Sequence, residues 1–170
     1  MYQLKNYSFL IILFLFYNYL FISCNNNSTD SEAISWEFKL SRTQCYGICP
    51  IYSFEISNKG IMKYEGIKYV TLDTTITLQI TEDTIQELYN LFKSGDYFSF
   101  DTSYNNSSMS DMPSVITSLR FGEKYKRIDH YLGDLSTPQE LLYLEIEVEE
   151  ILETEKLTGV DPSSNYPDNP

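Results

Sequence analysis

A strict alternation of apolar and polar residues is the feature that most constrains the fold of this chain. Apolar side chains occupy every second position from Ile34 to Leu40 and again from Tyr52 to Ile56. Successive strand side chains point to opposite faces, so this pattern predicts a sheet with one buried and one polar face. The same period recurs over residues 61–65 and 75–80, and Asn58-Lys59-Gly60 is typical of a turn. We therefore predict a meander of four strands.

A first helix is predicted after this meander. Thr81 is a suitable N-cap, and Gly95 is a suitable stop. Four apolar residues recur between them at helical spacing: Ile85, Leu88, Leu91 and Phe92. Residues 114–121 and 124–131 then predict a hairpin that turns at Gly122-Glu123.

The last helix has a well-marked beginning. Thr137 is predicted as its cap, Pro138 as its first residue, and Glu140 as the partner in a capping box. Its buried stripe is predicted to contain Leu141, Leu144, Val148, Ile151 and Leu152. We expect the glutamates of this helix, which include Glu145, Glu149 and Glu153, to face solvent and to bind no cation.

These elements predict an α+β fold in the order ββββ-α-ββ-α. The fold would have a mostly antiparallel sheet of about six strands, with two helices packed on one face. Hydrophobic residues make up 42% of the 170 residues, which is enough for the core of a single domain. We place this domain at residues 34–156. The tail, residues 157–170, contains three prolines and is expected to be disordered.

The N-terminus predicts export and membrane attachment. An apolar run of 16 residues, Tyr7–Ile22, precedes Ser23 and Cys24, and it is just short of the ~17–25 residues that span a bilayer. Ile22-Ser23-Cys24 resembles the lipobox of bacterial lipoproteins, which implies a signal peptide at residues 1–23 and a lipid on Cys24. An uncleaved membrane anchor is the alternative. Residues 24–33 are predicted to form a flexible tether, and Asn25, in place of an aspartate, favours the outer membrane.

The charge of the chain restricts its partners. There are 24 acidic residues against 12 lysines and arginines, a net charge of −12. A surface this acidic repels phosphates, so we expect no nucleic acid partner. We expect attachment to the membrane through the lipid on Cys24, together with an envelope protein or small ligand as partner.

The strongest internal motif lies between the first two strands, in the run Cys-Tyr-Gly-Ile-Cys-Pro-Ile-Tyr at residues 45–52. It resembles the hallmark of an uncharacterised domain family of Bacteroidetes-type lipoproteins, approximately Cys-aromatic-Gly-any-Cys-Pro-any-Tyr after an Arg-Thr pair. The matching residues are Arg42, Thr43, Cys45, Tyr46, Gly47, Cys49, Pro50 and Tyr52. The resemblance implies a fold but no activity.

The two cysteines of this motif are predicted to form a disulfide. The envelope is oxidising, and only Cys45 and Cys49 remain as thiols once Cys24 is acylated. Residues four apart lie ~13 Å apart in a strand, too far for a disulfide, so the chain must turn at Gly47. A labile redox pair is an alternative, although redox sites of the thioredoxin type have two intervening residues and precede a helix. Metal binding by the pair is a third possibility.

Catalysis has few candidate residues in this sequence. His130 is the single histidine, and strand alternation places its neighbour Asp129 on the opposite face. We therefore expect His130 to face solvent or to cap an element. The acidic loop from Asp101 to Asp111 is a weaker candidate for a cation site, and we expect neither a metal nor a cofactor. The sequence favours a non-enzymatic binding or structural module. The alternative is an envelope enzyme, either a thiol–disulfide protein that uses Cys45 and Cys49 or a hydrolase that uses His130.

Overall fold

The structure is a computed structural model that describes residues 34–106 and 108–166. The predicted signal peptide at 1–23, the lipidation site Cys24 and the tether up to residue 33 lie outside these residues. Residues 167–170 of the predicted tail also lie outside them. Within the described ranges, no helix is both long and apolar enough to cross a membrane.

One sheet contains the seven strands of the described residues. They are β1 Trp36–Arg42, β2 Ile51–Ser57, β3 Ile61–Lys68, β4 Thr75–Gln79, β5 Ser103–Tyr104, β6 Ser114–Phe121 and β7 Lys124–Tyr131. Their spatial order is β4-β3-β2-β1-β6-β7-β5. All neighbouring pairs are antiparallel except β5, which pairs in parallel with β7. The α+β class with a mostly antiparallel sheet is therefore confirmed. Two residues are too few to show a period, which is why β5 was not predicted.

Three helices accompany the sheet in the described part of the chain. They are α1 Glu82–Ser94, α2 Gln139–Ile151 and the short α3 Glu155–Thr158, with single 3-10 turns at Tyr97–Ser99 and Pro162–Asn165. The prediction contained only α1 and α2.

The core lies between the helices and the inner face of the sheet. Trp36, Phe38 and Leu40 point inward from β1 and are almost fully buried. The ring of Phe92 on α1 stacks on Phe38 with 5.0 Å between centroids, and it meets Trp36 edge-on at 5.2 Å. The alternation that predicted the strands thus gives the sheet its single apolar face.

The two long helices begin differently. At α1, Thr81 caps the helix as predicted, because its hydroxyl accepts from the backbone N–H of Thr84 at 3.3 Å. At α2 the predicted capping box is wrong. Pro138 is the N-cap residue and makes no side-chain capping bond. The hydroxyl of Thr137 donates instead to the carbonyl of Asp134 at 2.9 Å, so it belongs to the preceding turn and is not free to cap the helix.

The expected disorder after residue 156 is wrong for residues 157–166. The backbone N–H groups of Thr71 and Leu72 donate to the carbonyls of Thr158 and Leu157 at 3.0 and 2.9 Å. Pro162 begins a 3-10 turn instead of disrupting structure. Tyr166 beyond it is only 8% exposed. Burial of an aromatic ring supplies the stabilisation that the composition of this segment does not suggest.

Candidate functional site

A cluster of polar side chains is buried between the sheet and α2. Its members, here called the buried polar cluster, come from β1, β2, β7, α2 and the C-terminal segment: Arg42, Tyr52, His130, Glu145, Glu149 and Tyr166. The arginine, the histidine and the two glutamates are each at most 2% exposed. Transfer of such groups out of water is costly unless they are paired, so the contacts within the cluster decide whether the fold can tolerate them.

Arg42 is at the centre of the cluster because it continues the alternation of β1. Trp36, Phe38 and Leu40 precede it on the inward face, and Tyr52 lies directly opposite it on β2. The Nε of Arg42 donates to the Tyr52 hydroxyl at 3.0 Å. Its guanidinium forms an ion pair with Glu149, whose carboxylate also accepts from the Tyr52 hydroxyl. Two residues of the sequence motif therefore fasten α2 to the sheet.

The glutamates on α2 do not all face solvent, which corrects the prediction. Glu145 and Glu149 are both fully buried. They follow Leu144 and Val148 directly and lie one turn apart on the helix, so they share the inward face with these apolar residues. The buried stripe of α2 is therefore wider than the apolar residues alone suggest.

His130 is buried, contrary to the prediction that it faces solvent or caps an element. It is 1% exposed, and its Nδ1 lies 2.8 Å from Oε2 of Glu145. The carboxylate that orients this imidazole comes from α2, whereas Asp129 points outward as strand alternation predicted and contacts Arg127 at 3.3 Å. The acid–imidazole pair is thus formed by two elements that lie apart in the sequence.

Tyr166 closes the cluster from the C-terminal side. Its ring lies over the guanidinium of Arg42, with 4.8 Å from Cζ to the ring centroid. Its hydroxyl accepts from Nη2 of Arg42 at 3.0 Å and donates to Oε2 of Glu145 at 3.2 Å. This one hydroxyl connects the Arg42–Glu149 pair to the His130–Glu145 pair.

Burial and charge shift the protonation equilibria in the cluster. Burial raises the pKa of Glu145, although His130 and Arg42 oppose this. Burial by itself lowers the pKa of Arg42, but the charge of and hydrogen bond to Glu149, together with Tyr166 and Tyr52, outweigh it, and the pKa of Arg42 is raised well above its ordinary value. Burial also raises the pKa of the Tyr52 and Tyr166 hydroxyls. Both tyrosines therefore remain hydrogen-bond donors at neutral pH.

Two atoms of the cluster have hydrogen-bonding capacity left over. Nη1 of Arg42 and Oε1 of Glu145 are buried and have no hydrogen-bond partner among the described residues. Buried polar atoms are nearly always paired in proteins. Perturbed ionisable groups of this kind are concentrated at functional sites, which makes the cluster the first candidate site.

The disulfide-closed loop, residues 44–50, is the second candidate site. Cys45 and Cys49 form a disulfide in the structure, with 5.9 Å between their Cα atoms. At the tip of the loop Tyr46 is 89% exposed and Ile48 is 83% exposed. Exposure of two large apolar side chains so close together costs hydration free energy. They are therefore a candidate contact surface.

The ends of this loop are held by the domain. The backbone N–H of Thr43 donates to the carbonyl of Ser114 at 3.0 Å, and the Thr43 hydroxyl accepts from the N–H of Ser114 at 2.8 Å. The N–H of Tyr46 donates to the carbonyl of Asp111 at 3.2 Å. Pro50 is buried where β2 is about to begin, and Gly47 is exposed at the tip. Thr43, the backbone N–H of Tyr46 and the disulfide thus fix this loop.

The geometry of the described residues gives little support to the two enzymatic alternatives. The Cys45–Cys49 disulfide lies between two strands, whereas low-pKa cysteines of redox proteins often lie at a helix N-terminus. His130 has an acidic partner, but among the described residues no serine, threonine or cysteine hydrogen-bonds to it as a nucleophile would. Within residues 34–106 and 108–166, no group of three or more histidine, cysteine or acidic side chains is placed to hold a metal ion.

From the sequence, Glu145 and Glu149 were expected on a solvent-facing helix surface and Tyr166 in a disordered tail, so none of the three was predicted to be buried. Glu145 and Glu149 could have been found from their position beside Leu144 and Val148, since the i, i+4 spacing follows the apolar stripe. Tyr166 lies in a stretch rich in proline and serine and carries no sequence signal of burial.

The fold and the two sites define a small α+β domain with a disulfide-closed loop above a buried polar cluster. The model of the domain of unknown function DUF6438 matches residues 36–152, so the chain belongs to this family. No curated protein matches the chain. The matched range contains the loop and every member of the cluster except Tyr166.

Proposed function

We propose that this protein is a lipid-anchored envelope module that binds another envelope protein through the disulfide-closed loop. The attachment is supported by the sequence at Cys24, where an apolar run ends in Ile22-Ser23-Cys24. The observation that carries the binding role is the exposure of Tyr46 and Ile48, at 89% and 83%, on a loop that is held at both ends.

The physical case for binding rests on order and on residue type. A disulfide and backbone hydrogen bonds order the loop before any partner arrives, so less conformational entropy is lost on association. Tyrosine is enriched among the residues that dominate protein–protein affinity. Nothing in the domain needs Tyr46 or Ile48 for its core, since both side chains project into solvent. The partner that fits is a protein with an apolar pocket for these two side chains.

The position of the loop agrees with this role. Ile34, where the described domain begins, and the loop lie at opposite ends of β1. Seven strand residues span about 20 Å. The loop therefore lies far from the point where the described domain begins.

Membrane attachment can be tested by replacing Cys24. We expect Cys24→Ser to accumulate as an unprocessed precursor or to lose its lipid, whereas the wild-type chain begins at Cys24 and carries the mass of the lipid. Membrane fractionation and intact-mass measurement provide the readout. A wild-type chain without lipid would contradict the attachment.

Binding can be tested with a photo-crosslinking amino acid placed at position 46 or 48 in intact cells. A matched control carries it at Tyr143, which is 57% exposed on α2. We expect a discrete crosslinked protein from the loop positions and not from position 143, and we expect Ile48→Ser to weaken the crosslink formed from position 46. Equal products from all three positions would show that the loop has no special role.

A further inference from the structure

The C-terminal strap, residues 160–166, is attached to the domain by very few polar contacts. Within the described residues, its backbone and side-chain hydrogen bonds run inside the strap or to Thr158, except for those of Tyr166. The Tyr166 hydroxyl alone reaches the rest of the domain, at Arg42 and Glu145. Before the strap, α3 is fixed to the β3–β4 loop by two backbone hydrogen bonds, and Gly159 follows in the left-handed conformation with φ of 75°. The strap can therefore detach while α3 stays in place.

Tyr166 occupies its position in the way a bound ligand does. A planar cation covers its ring, one charged donor and one charged acceptor bind its single hydroxyl, and the ring centroid of His130 lies 6.5 Å from its own. The walls come from residues inside the family match at 36–152, whereas Tyr166 comes from beyond it. Residues of the family domain thus form the site, and the C-terminal strap provides the side chain that fills it.

Stability does not explain why the site is so polar. A buried ion pair contributes little compared with apolar residues of the same volume. In addition, Nη1 of Arg42 and Oε1 of Glu145 are left without partners among the described residues even when Tyr166 is docked. The hydroxyl of Tyr166 therefore does not satisfy every polar atom that lines the site. These observations point to a binding site that is currently filled by a segment of the same chain.

We propose that the buried polar cluster is a binding site for phenol groups and that Tyr166 is its intramolecular occupant, which an external phenolic ligand displaces. The site selects a flat ring that stacks on Arg42 and a hydroxyl that accepts from Arg42 while it donates to Glu145. A free phenol and a tyrosine in a peptide share this chemistry. Detachment of the strap opens the site, so strap and ligand compete.

The first experiment empties the site in the full-length chain with Tyr166→Ala and adds p-cresol, which is the tyrosine side chain without its backbone. Toluene has a similar shape but no hydroxyl. We expect p-cresol to bind about tenfold or more tightly than toluene, because hydrogen bonds to charged groups are the strong ones. Titration calorimetry and a saturable rise in melting temperature provide the readout. Tyr166→Phe under the same conditions is the matched control: its ring still occupies the site, so p-cresol and toluene should each bind it more weakly than they bind Tyr166→Ala.

A second experiment uses the wild-type chain and does not depend on the folding of any variant. Amide hydrogen exchange of residues 160–166 is followed while p-cresol is added. We expect exchange to accelerate in this segment and not in β1 or β7, because the ligand displaces the strap. Because competition with the strap raises the concentration needed, unchanged exchange at p-cresol concentrations far above those that saturate Tyr166→Ala would overturn the proposal. Equal affinity of Tyr166→Ala for p-cresol and toluene would do the same, since it would reveal only an apolar cavity.

A third arm distinguishes the two sources of the phenol. The peptide Ser-Ser-Asn-Tyr has the sequence of residues 163–166, and its alanine analogue is the control. If the natural ligand is a peptide, this peptide should bind Tyr166→Ala more tightly than p-cresol does. If the natural ligand is a free phenol, p-cresol should bind at least as tightly. Failure of the photo-crosslinking experiment at positions 46 and 48 would leave these expectations unchanged, because the strap and the loop are separate sites.

Discussion

The Arg42–Glu149 pair allows the stability of the buried polar cluster to be tested by a double-mutant cycle. Arg42→Met leaves the Glu149 carboxylate fully buried without its guanidinium, and Glu149→Leu leaves the Arg42 guanidinium buried without its carboxylate. Removal of one partner from a buried ion pair costs about 3–5 kcal/mol of unfolding free energy. We expect a loss in this range for each single variant, and therefore an additive total of about 6–10 kcal/mol.

The double variant is expected to be far more stable than that total. It contains neither charge, and replacement of a buried ion pair by apolar residues of similar volume is often neutral or stabilising. One cost remains, because the Tyr52 hydroxyl loses both of its partners, and an unsatisfied buried hydroxyl costs about 1–3 kcal/mol. Tyr166 keeps its bond to Glu145. The coupling energy should therefore be at least about 3 kcal/mol.

Urea denaturation measured by tryptophan fluorescence suits this cycle, because Trp36 is the only tryptophan and is 2% exposed in the core. The control cycle uses Lys39 and Glu55, which form an ion pair at 2.9 Å with side chains 49% and 45% exposed. Exposed pairs of this kind couple by less than about 1 kcal/mol. If the loss in the double variant equals the sum of the losses in Arg42→Met and Glu149→Leu to within about 0.5 kcal/mol, the two residues do not stabilise the domain as a pair, and the expected coupling is refuted.

Three further predictions follow from other parts of the domain. Replacement of Cys45 and Cys49 by serine should lower the unfolding free energy by only about 2 kcal/mol, because the loop is short; a variant that no longer folds would contradict this. The pKa of Glu145 is raised above its ordinary 4.5 by burial, so its contribution to stability is complete below pH 4.5 and is lost as the pH rises through the folded-state pKa. As the pH rises from below 4.5 through the folded-state pKa, the urea midpoint should fall less in Glu145→Gln than in wild type. In Gly66→Ala the new Cβ would lie 1.8 Å from a carbonyl oxygen of the β3–β4 loop, and we expect a loss of about 1–3 kcal/mol; Gly47→Ala, whose Cβ makes only an ordinary contact, is the control, and equal urea midpoints would refute the clash.

Local patterns were sufficient for much of the fold. The alternation over 34–40 and 52–56 predicted two central strands, and the spacing from Ile85 to Phe92 predicted α1. The turn at Gly47 and the pair of thiols predicted the Cys45–Cys49 bridge, which the structure contains. In each case the determining interactions lie within a few residues of one another, so the sequence displays them directly.

The buried polar cluster could not be predicted from local patterns of this kind. The inward positions of β1 end with Arg42, and the alternation predicted from the sequence stopped at Leu40 because arginine is rarely buried without a partner. Its partner Glu149 lies 107 residues further along the chain, and His130 meets Glu145 only because α2 packs across β7. The same holds for Tyr166, which lies 124 residues after the Arg42 that it covers.

The sequence by itself determined the six long strands and the two long helices, which face of the sheet is apolar and where a disulfide can close. Only the tertiary structure decided which charged residues are buried and what each of them contacts. The physical reason is that an apolar side chain lowers the free energy against almost any apolar neighbour, whereas a buried charge is tolerated only beside a particular partner in a particular geometry. Such partners come from distant segments of this chain, so the site forms only when the whole domain has folded.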